Sequence, residues 1–261
     1  MDIQFAKYQG AGNDFILLDN RSGHLPDLNQ SQIESLCNRH KGIGADGLII
    51  IHSDTHSDFR MQYFNADGRE SSLCGNGGRC AVAFAYHHKI IGRKTSFQAI
   101  DGLHTAQYYD PTKIELKMQD VKEIRQLGSD FTLNTGSPHY VKMVKGIDQI
   151  QVLQEGAALR YDKRFQPDGL NINFVEKLSP THYKIRTYER GVEGETLACG
   201  TGTVAAALVM HHSGASEKET TLFFDAPGGA LTVSFQENEA QYNTIYLTGP
   251  AQFVFSGQIK V

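Results

Sequence analysis

The chain has no tryptophan, only four cysteines and seven prolines among its 261 residues, and little net charge. Cysteines this sparse cannot form a dense disulfide framework, so reduced thiols in a reducing compartment are the default. No stretch approaches the roughly 18 consecutive apolar residues that a membrane-spanning helix needs. The start, Met1-Asp2-Ile3-Gln4, lacks the basic and then apolar segments of a secretion signal, so the expected location is the cytoplasm. A formal charge of −4 and a pI near 6.2 offer no basic footprint for nucleic acid or an anionic membrane. A small-molecule partner is therefore expected. Low-complexity tracts are missing too, and 40% hydrophobic content argues against disorder.

What is present is a duplication. Gly68-Arg69-Glu70-Ser71-Ser72-Leu73-Cys74-Gly75-Asn76-Gly77 and Glu193-Gly194-Glu195-Thr196-Leu197-Ala198-Cys199-Gly200-Thr201-Gly202 each place a Glu four residues before Cys-Gly-x-Gly. Each then enters an apolar, Ala-rich run ending in a double histidine, His87-His88 or His211-His212. The two cysteines lie 125 positions apart, and Gly10 to Phe15 lies opposite Gly136 to Val141 at nearly the same offset. Two copies without a third mean duplicated domains, not a solenoid, and the length suits two domains. The expected boundaries are 1–118, carrying Cys74, and 119–261, carrying Cys199.

Short apolar or alternating segments bounded by Gly, Pro, Asn or Asp predict strands at Phe15–Leu18, Gly47–Ile51, Phe59–Phe64, Lys113–Met118, His139–Val144, Tyr183–Tyr188 and Ala230–Phe235. Helices are expected from Gln30 to Arg39, near Gln149 to Gly156, and after Gly77 and Gly202. The last two are apolar around most of their circumference, which predicts burial on nearly all sides. The fold class is therefore α+β, in two pseudo-symmetric lobes. Each is a rolled, mostly antiparallel sheet around a central buried helix, with a cysteine at that helix's N-terminus.

A helix N-terminus presents unpaired N–H groups and partial positive charge, which attract carboxylates and favour thiolate over thiol. Glycines at 75, 77, 200 and 202 let a ligand approach those amides. One thiolate and one thiol are what inversion at an α-carbon needs, one to remove the proton and one to return it from the opposite face. The enediolate-like transition state would draw its stabilisation from aligned amides in a water-poor site. Neither a phosphate-anchoring lysine motif for a pyridoxal cofactor nor a metal-ligand cluster stands out.

These residues are specific enough to suggest a family. Gly12-Asn13-Asp14-Phe15, Phe64-Asn65-Ala66-Asp67-Gly68, Cys74-Gly75-Asn76-Gly77-Gly78-Arg79-Cys80, Tyr188-Glu189-Arg190-Gly191, Ala198-Cys199-Gly200-Thr201-Gly202 and Pro227-Gly228-Gly229 closely resemble the diaminopimelate epimerases, in order and over nearly the whole chain. The resemblance implies cofactor-independent epimerisation of LL-2,6-diaminopimelate to the meso form, for lysine and peptidoglycan precursor synthesis. It also implies a homodimer of two-lobed subunits, with the C-terminal segment 250–261 packing on the first lobe and an active site shared by the lobes. Carried over by position, Cys74 and Cys199 are the acid/base pair, and His139 and Glu189 tune their pKa values. Gly75, Asn76, Gly200 and Thr201 bind the carboxylate at the reacting centre. Asn13, Asn65, Asn171, Glu189 and Arg190 bind the rest of the substrate. The chain departs from the family pattern at Gly47, where many members have Gln, and at Ser137, where many have Asn.

Each assignment has a plainer rival. Cys37 and Cys80 lack flanking glycines and are expected to be packing residues. A zinc site built on Cys74 and Cys80 fails on spacing and on missing partners. The paired histidines read as cations placed against helix C-termini, Arg190 could form an ordinary surface ion pair, and Glu70 and Glu195 read as supports of the cysteine loops. Three other functions remain possible at this point: a proline or hydroxyproline racemase, a thiol redox pair, and an amino-acid-binding protein. A proline-type enzyme is disfavoured by Asn76, which stands where those enzymes typically have His.

Overall fold

A computed structural model describes residues 2–239 and 241–260. The described chain runs β1 (Asp2–Gly10), β2 (Asn13–Asp19), α1 (Gln30–Cys37), β3 (Gly47–His52), β4 (Phe59–Asn65), α2 (Gly75–His87), β5 (Lys94–Ala99), β6 (Gly102–Asp110) and β7 (Lys113–Lys117). It continues with β8 (Ile124–Leu127), β9 (Asp130–Asn134), β10 (Pro138–Met143), α3 (Val152–Arg160), β11 (Asn171–Lys177), β12 (His182–Glu189) and β13 (Gly194–Thr196). Then come α4 (Gly200–His212), β14 (Thr221–Ala226), β15 (Gly229–Asn238), β16 (Gln241–Gly249) and β17 (Gln252–Lys260). The chain divides into two compact units, one reaching Leu116 and resuming at Gly249, the other running from Lys117 to Thr248.

In the first unit the strands pair in the order β17, β1, β2, β3, β4, β5, β6, β7. From β1 onward the pairings are antiparallel, parallel, antiparallel, parallel, antiparallel, antiparallel. In the second unit β9, β10, β11, β12, β14, β15 and β16 repeat that series of directions. The duplication read from the cysteine motifs is thus a duplication of whole topology. The sheets are mostly antiparallel, as expected, with two parallel pairings in each unit where α1 to α4 cross over between neighbouring strands.

Each sheet curls round one helix. α2 packs against β1, β2, β3, β6 and β17, and α4 against β9, β10, β11, β12 and β15. Every residue from Gly75 to Ala85 is buried, as is every residue from Gly200 to Met210 except Thr201. A helix with sheet on most sides has no solvent-facing side, which is why α4 is apolar nearly all round and α2 keeps even its polar Asn76 and Arg79 buried. The outer helix α1 is amphipathic instead. It buries Ile33, Leu36 and Cys37 and starts with a reciprocal cap in which Asn29 and Gln32 exchange side-chain to backbone hydrogen bonds.

Two helices differ from expectation. α1 stops at Cys37, because the Asn38 carboxamide accepts from the His40 and Lys41 amides and turns the chain. α3 starts later and runs on to Arg160, since Gly156 does not end it: a Cβ there would lie 2.5 Å from that of Tyr188, so the glycine marks close packing. One histidine of each pair also reads differently. Burial pushes the pKa values of His87 and His211 down, and their rings bond tyrosine hydroxyls, His87 to Tyr8 at 2.9 Å and His211 to Tyr242 at 3.1 Å. They are neutral packing residues, not cations set against the helix dipole.

Register places the sequence-predicted residues. Phe15, Gly47 and Asn65 share one row across β2, β3 and β4, with Asn13 just beyond its end. In the second unit His139 pairs with Asn171, and Ile172 with Tyr188, so His139, Asn171 and Glu189 fall at the corresponding edge of β10, β11 and β12.

Candidate active site

Cys74 and Cys199 occupy the same local structure in the two units. Both are extended N-cap residues without a side-chain capping bond, and neither helix carries an acidic residue in its first turn. Neither helix thus sets a carboxylate of its own first turn against those amides and the positive end of the dipole, which suits a binder of anions. Cys199 is buried and Cys74 half-buried. The Cys199 sulfur lies 3.5 Å from Thr201 Oγ1, while Thr135 donates to the Thr201 carbonyl at 2.9 Å and Thr203 to the Cys199 carbonyl at 2.9 Å. Burial pushes the Cys37 thiol up to about 12 and the Cys80 thiol higher still, so those two stay protonated and inert.

Around Cys74 the polar groups form one directed relay. Arg79 Nη2 donates to Asn76 Oδ1 at 2.6 Å, Asn76 Nδ2 donates to Asn13 Oδ1, and Asn13 Nδ2 donates to Asp46 Oδ2 at 3.0 Å. Guanidinium only donates and carboxylate only accepts, so the two ends fix which way both carboxamides face. Beyond Asp46 the charges are paired: Arg39 bridges Asp46 and Asp14, and Lys7 lies 2.9 Å from Asp14. Burial works to raise the Asp14 pKa, but the hydrogen bonds and charges of Arg39 and Lys7 outweigh it and bring it to about 2.

Gly47 is sterically required. A Cβ there would stand 2.6 Å from both the Tyr63 ring and the Phe64 carbonyl. The ground a longer side chain would use belongs to Tyr63, whose hydroxyl donates to Asn65 Oδ1 at 2.8 Å.

The second unit carries a different set. Asn171 donates to Ser137 Oγ at 2.8 Å and to the Pro138 carbonyl at 3.3 Å, and accepts from the Arg190 amide at 2.8 Å. It therefore braces the Ser137 and Arg190 turns, and Ser137 keeps its own proton to donate. Arg190 is half-buried, touches the Asp168 carbonyl at 3.3 Å, and takes part in none of the ion pairs seen among the described residues. Glu189 accepts from Thr196 Oγ1 at 2.9 Å. Glu195 grips Arg186 through two bonds of 2.6 and 2.8 Å, which ties the strand before Cys199 to the sheet. Glu70 makes no such pair among the described residues; it bridges Phe64 through its backbone.

His139 is fully buried, and its protonation follows from its neighbours. Thr187 Oγ1 donates to Asn173 Oδ1 at 3.0 Å, and Asn173 Nδ2 donates to the Tyr140 carbonyl at 3.0 Å, so it is the amide nitrogen that lies 3.1 Å from His139 Nδ1. Nδ1 must accept, which puts the proton on Nε2. Nε2 is buried with no hydrogen-bond partner. Burial, and then the nearby Arg190 charge, depress the His139 pKa to about 3. The imidazole is thus a neutral donor with an unused N–H.

The sequence motifs did not single out three participants. Asn173 sits two residues from Asn171 on the same face of β11, and the Asn-Ile-Asn alternation was its signal. A Cβ on Gly202 would lie 2.3 Å from Asn173 Oδ1, so that glycine serves the network as well as any ligand. Arg79 was visible as a lone charge in a helix apolar on every side. Tyr63 left no signal beyond strand alternation.

Comparison with known proteins fits this duplicated arrangement. The family model for diaminopimelate epimerase matches residues 5–124 and 131–254, one segment in each half. A diaminopimelate epimerase of Flavobacterium psychrophilum is 48% identical over 257 residues, 98% of this chain and 100% of that protein. One of Chlorobaculum tepidum is 44% identical over 259 residues, covering 97% and 99%. Among solved structures, a PhzF-family phenazine biosynthesis protein of Bacillus anthracis matches with a TM-score of 0.77 at 16% identity over the whole of both chains. A hydroxyproline epimerase of Agrobacterium vitis matches at 0.68 and 16%, covering 99% and 92%. These two establish the α+β fold alone. With full-length relatives this similar, the chain belongs to the diaminopimelate epimerase family.

Proposed function

We propose that the protein epimerises LL-2,6-diaminopimelate to meso-2,6-diaminopimelate by two-base proton transfer, with no cofactor. The observation that carries this reading is the pair of cysteines, each capping a buried helix whose first turn holds glycine and no acid. In this reading one thiolate removes the α-proton while the other thiol delivers a proton to the opposite face, and the roles exchange in the reverse direction. Gly75, Asn76, Gly200 and Thr201 hold the α-carboxylate with backbone amides, where charge grows as the carbanion forms. Arg190, whose planar fork suits a carboxylate, and Asn13, Asn65, Asn171 and Glu189 hold the distal zwitterion. His139, locked as an Nε2–H donor, stabilises negative charge by hydrogen bonding, and Glu189 sets the protonation of its neighbouring groups. Gly47 contributes space, its place in substrate contact being taken by Tyr63 and Asn65, and Ser137 contributes a hydroxyl.

The wider assignments belong to the same reading. The lobes are 1–118 and 119–261, with 250–261 packed on the first lobe. Support for the last point is the antiparallel pairing of β17 with β1. A reducing cytoplasm suits catalytic thiols and a biosynthetic step that feeds lysine and cell-wall precursors. The homodimer is supported by the partly exposed Phe253 and Phe255 on one face of β17 and Val254 on the other, apolar side chains at the edge of the first unit's sheet that water tolerates poorly.

The test is direct. Purified, reduced protein is incubated with LL-diaminopimelate, and separately with L-proline and trans-4-hydroxy-L-proline, and products are resolved by chiral chromatography. The reading predicts meso-diaminopimelate and no change in the proline substrates. Turnover of a proline substrate instead would transfer the protein to another activity of the same fold, and tight binding without turnover would make it a binding protein.

A further inference from the structure

Glu193 lies in the turn between β12 and β13, just after Arg190, and its φ is +55°. Residues with a side chain are strained in that region and glycine is not, so a glutamate there points to a task for its carboxylate. Oε1 accepts from the Gly191 amide at 3.0 Å and from Arg160 Nη2 at 3.3 Å, and Oε2 from the Tyr161 hydroxyl at 2.8 Å and the Tyr188 hydroxyl at 3.3 Å. Two donors on each oxygen fill the acceptor sites of an ionised carboxylate. Burial works to raise the Glu193 pKa, but the Gly191 amide, the Tyr161 hydroxyl and the Arg160 charge outweigh it and bring it down. A lone surface ion pair would hold a turn weakly; this one is reinforced by a backbone amide and by the hydroxyl of the buried Tyr188.

The bonds join the two turns that carry Arg190. Arg160 closes α3, its side chain is mostly buried, and its Nε is buried with no hydrogen-bond partner. A Cβ on Gly169 would overlap Arg160 Nη1, so the guanidinium lies against the Asp168-Gly169 turn, whose Asp168 carbonyl accepts from Arg190 Nη1 at 3.3 Å. On the other side the Arg190 amide donates to Asn171 at 2.8 Å, the next amide, Gly191, to Glu193, and the Glu193 amide to the Glu189 carbonyl at 2.8 Å. The backbone of Arg190 and its guanidinium are thus both anchored to turns that the Arg160–Glu193 pair ties together.

We infer that Glu193 is the positioning residue of Arg190: by clasping Arg160 and the Gly191 amide it fixes the turn from which the Arg190 guanidinium takes the carboxylate at the far end of the substrate. The inference rests on the epimerase reading for the identity of that ligand. Its consequence is selective, since a fixed Arg190 strengthens the grip on the distal carboxylate more than it aids proton transfer at the cysteines.

The variant that tests this is Glu193→Gly, which suits the left-handed backbone and removes only the carboxylate. In steady-state kinetics with LL-diaminopimelate it should raise KM about tenfold and lower kcat by less than about threefold. In an Arg190→Gln background the same change should alter kcat/KM by less than about twofold, because its effect runs through Arg190. An equal loss in both backgrounds, a fall in kcat with KM unmoved, or no change in KM would overturn the inference. A parent protein that leaves LL-diaminopimelate untouched would refute the epimerase reading instead, and the clasp is then read by amide hydrogen exchange followed by NMR. The Arg190 and Gly191 amides should be protected in the parent and exchange at least about tenfold faster in Glu193→Gly. Unchanged exchange in the variant would overturn the inference, and so would unprotected amides in the parent, a result that needs no variant to fold.

Discussion

At the scale of the residue, the two cysteines were legible because chemistry confined them. A thiol next to two glycines, twice, at the head of an apolar run has few structural explanations. Replacing either Cys74 or Cys199 with serine should cut turnover by at least about a thousandfold, since a hydroxyl is almost never ionised near neutral pH; steady-state kinetics on each variant checks this. Asn173 was legible only in its place, through the Asn-Ile-Asn alternation; its task, fixing a tautomer through a contact 34 residues away, is encoded by no local pattern. Its replacement by aspartate puts an acceptor opposite His139 Nδ1, so both ring nitrogens would carry protons. The His139 pKa, about 3 in the parent, should rise by several units in Asn173→Asp, which NMR titration of ring-labelled histidine would detect. An unmoved titration would mean that Asn173 does not set the tautomer. Gly202→Ala tests the same network from the helix side. Its Cβ would meet Asn173 Oδ1 at 2.3 Å, and with buried backbone unable to yield cheaply the loss should be about 1–3 kcal/mol of unfolding free energy in urea titration.

At the scale of the element, the buried helices were the clearest reading and the outer strands the poorest. A segment apolar on every face has only one environment available to it, so α2 and α4 followed from composition. Strands such as β6, β8 and β14 mix polar and apolar residues on partly exposed faces, and pairing partners, not local pattern, decide them. Elements also differ in how they answer acid. The folded state holds His139 neutral far below the ordinary histidine pKa of about 6.5, so the unfolded chain binds the extra proton first. Stability is fully present above about pH 6.5 and falls as pH drops toward 3, by at most about 1.4 kcal/mol per unit from this group. Asp14, lowered to about 2 despite its burial, adds a second loss between about pH 4 and 2. Urea unfolding at pH 7 and pH 5 should show the first loss in the parent and a smaller one in His139→Gln. Equal losses would remove His139 as a cause.

At the scale of the whole molecule, two copies of one topology carry unlike chemistry. Both sheets repeat the same series of strand directions, and each sets a thiol at the head of its central helix, yet the first unit carries a relay of carboxamides and a buried arginine, and the second a locked histidine, a glutamate and a half-buried arginine bonded to the Asp168 carbonyl. The sequence repeat exposed the shared frame, because the frame depends on glycines and apolar runs that cannot vary. The differences were less visible, because each residue acts through its neighbours across strands. Two-base inversion asks for this combination of like scaffolds and unlike surroundings, since at any moment one thiol must be ionised and the other protonated. The central claim is thus best tested by isotope exchange. Reduced protein is mixed with LL-diaminopimelate in deuterium oxide without cofactor, and deuterium at the α-carbons is followed by NMR as the meso isomer forms. The account predicts one solvent deuterium entering the inverted centre, with exchange lost in both Cys74→Ser and Cys199→Ser. Meso product without solvent deuterium, or exchange that survives the loss of either thiol, would contradict it.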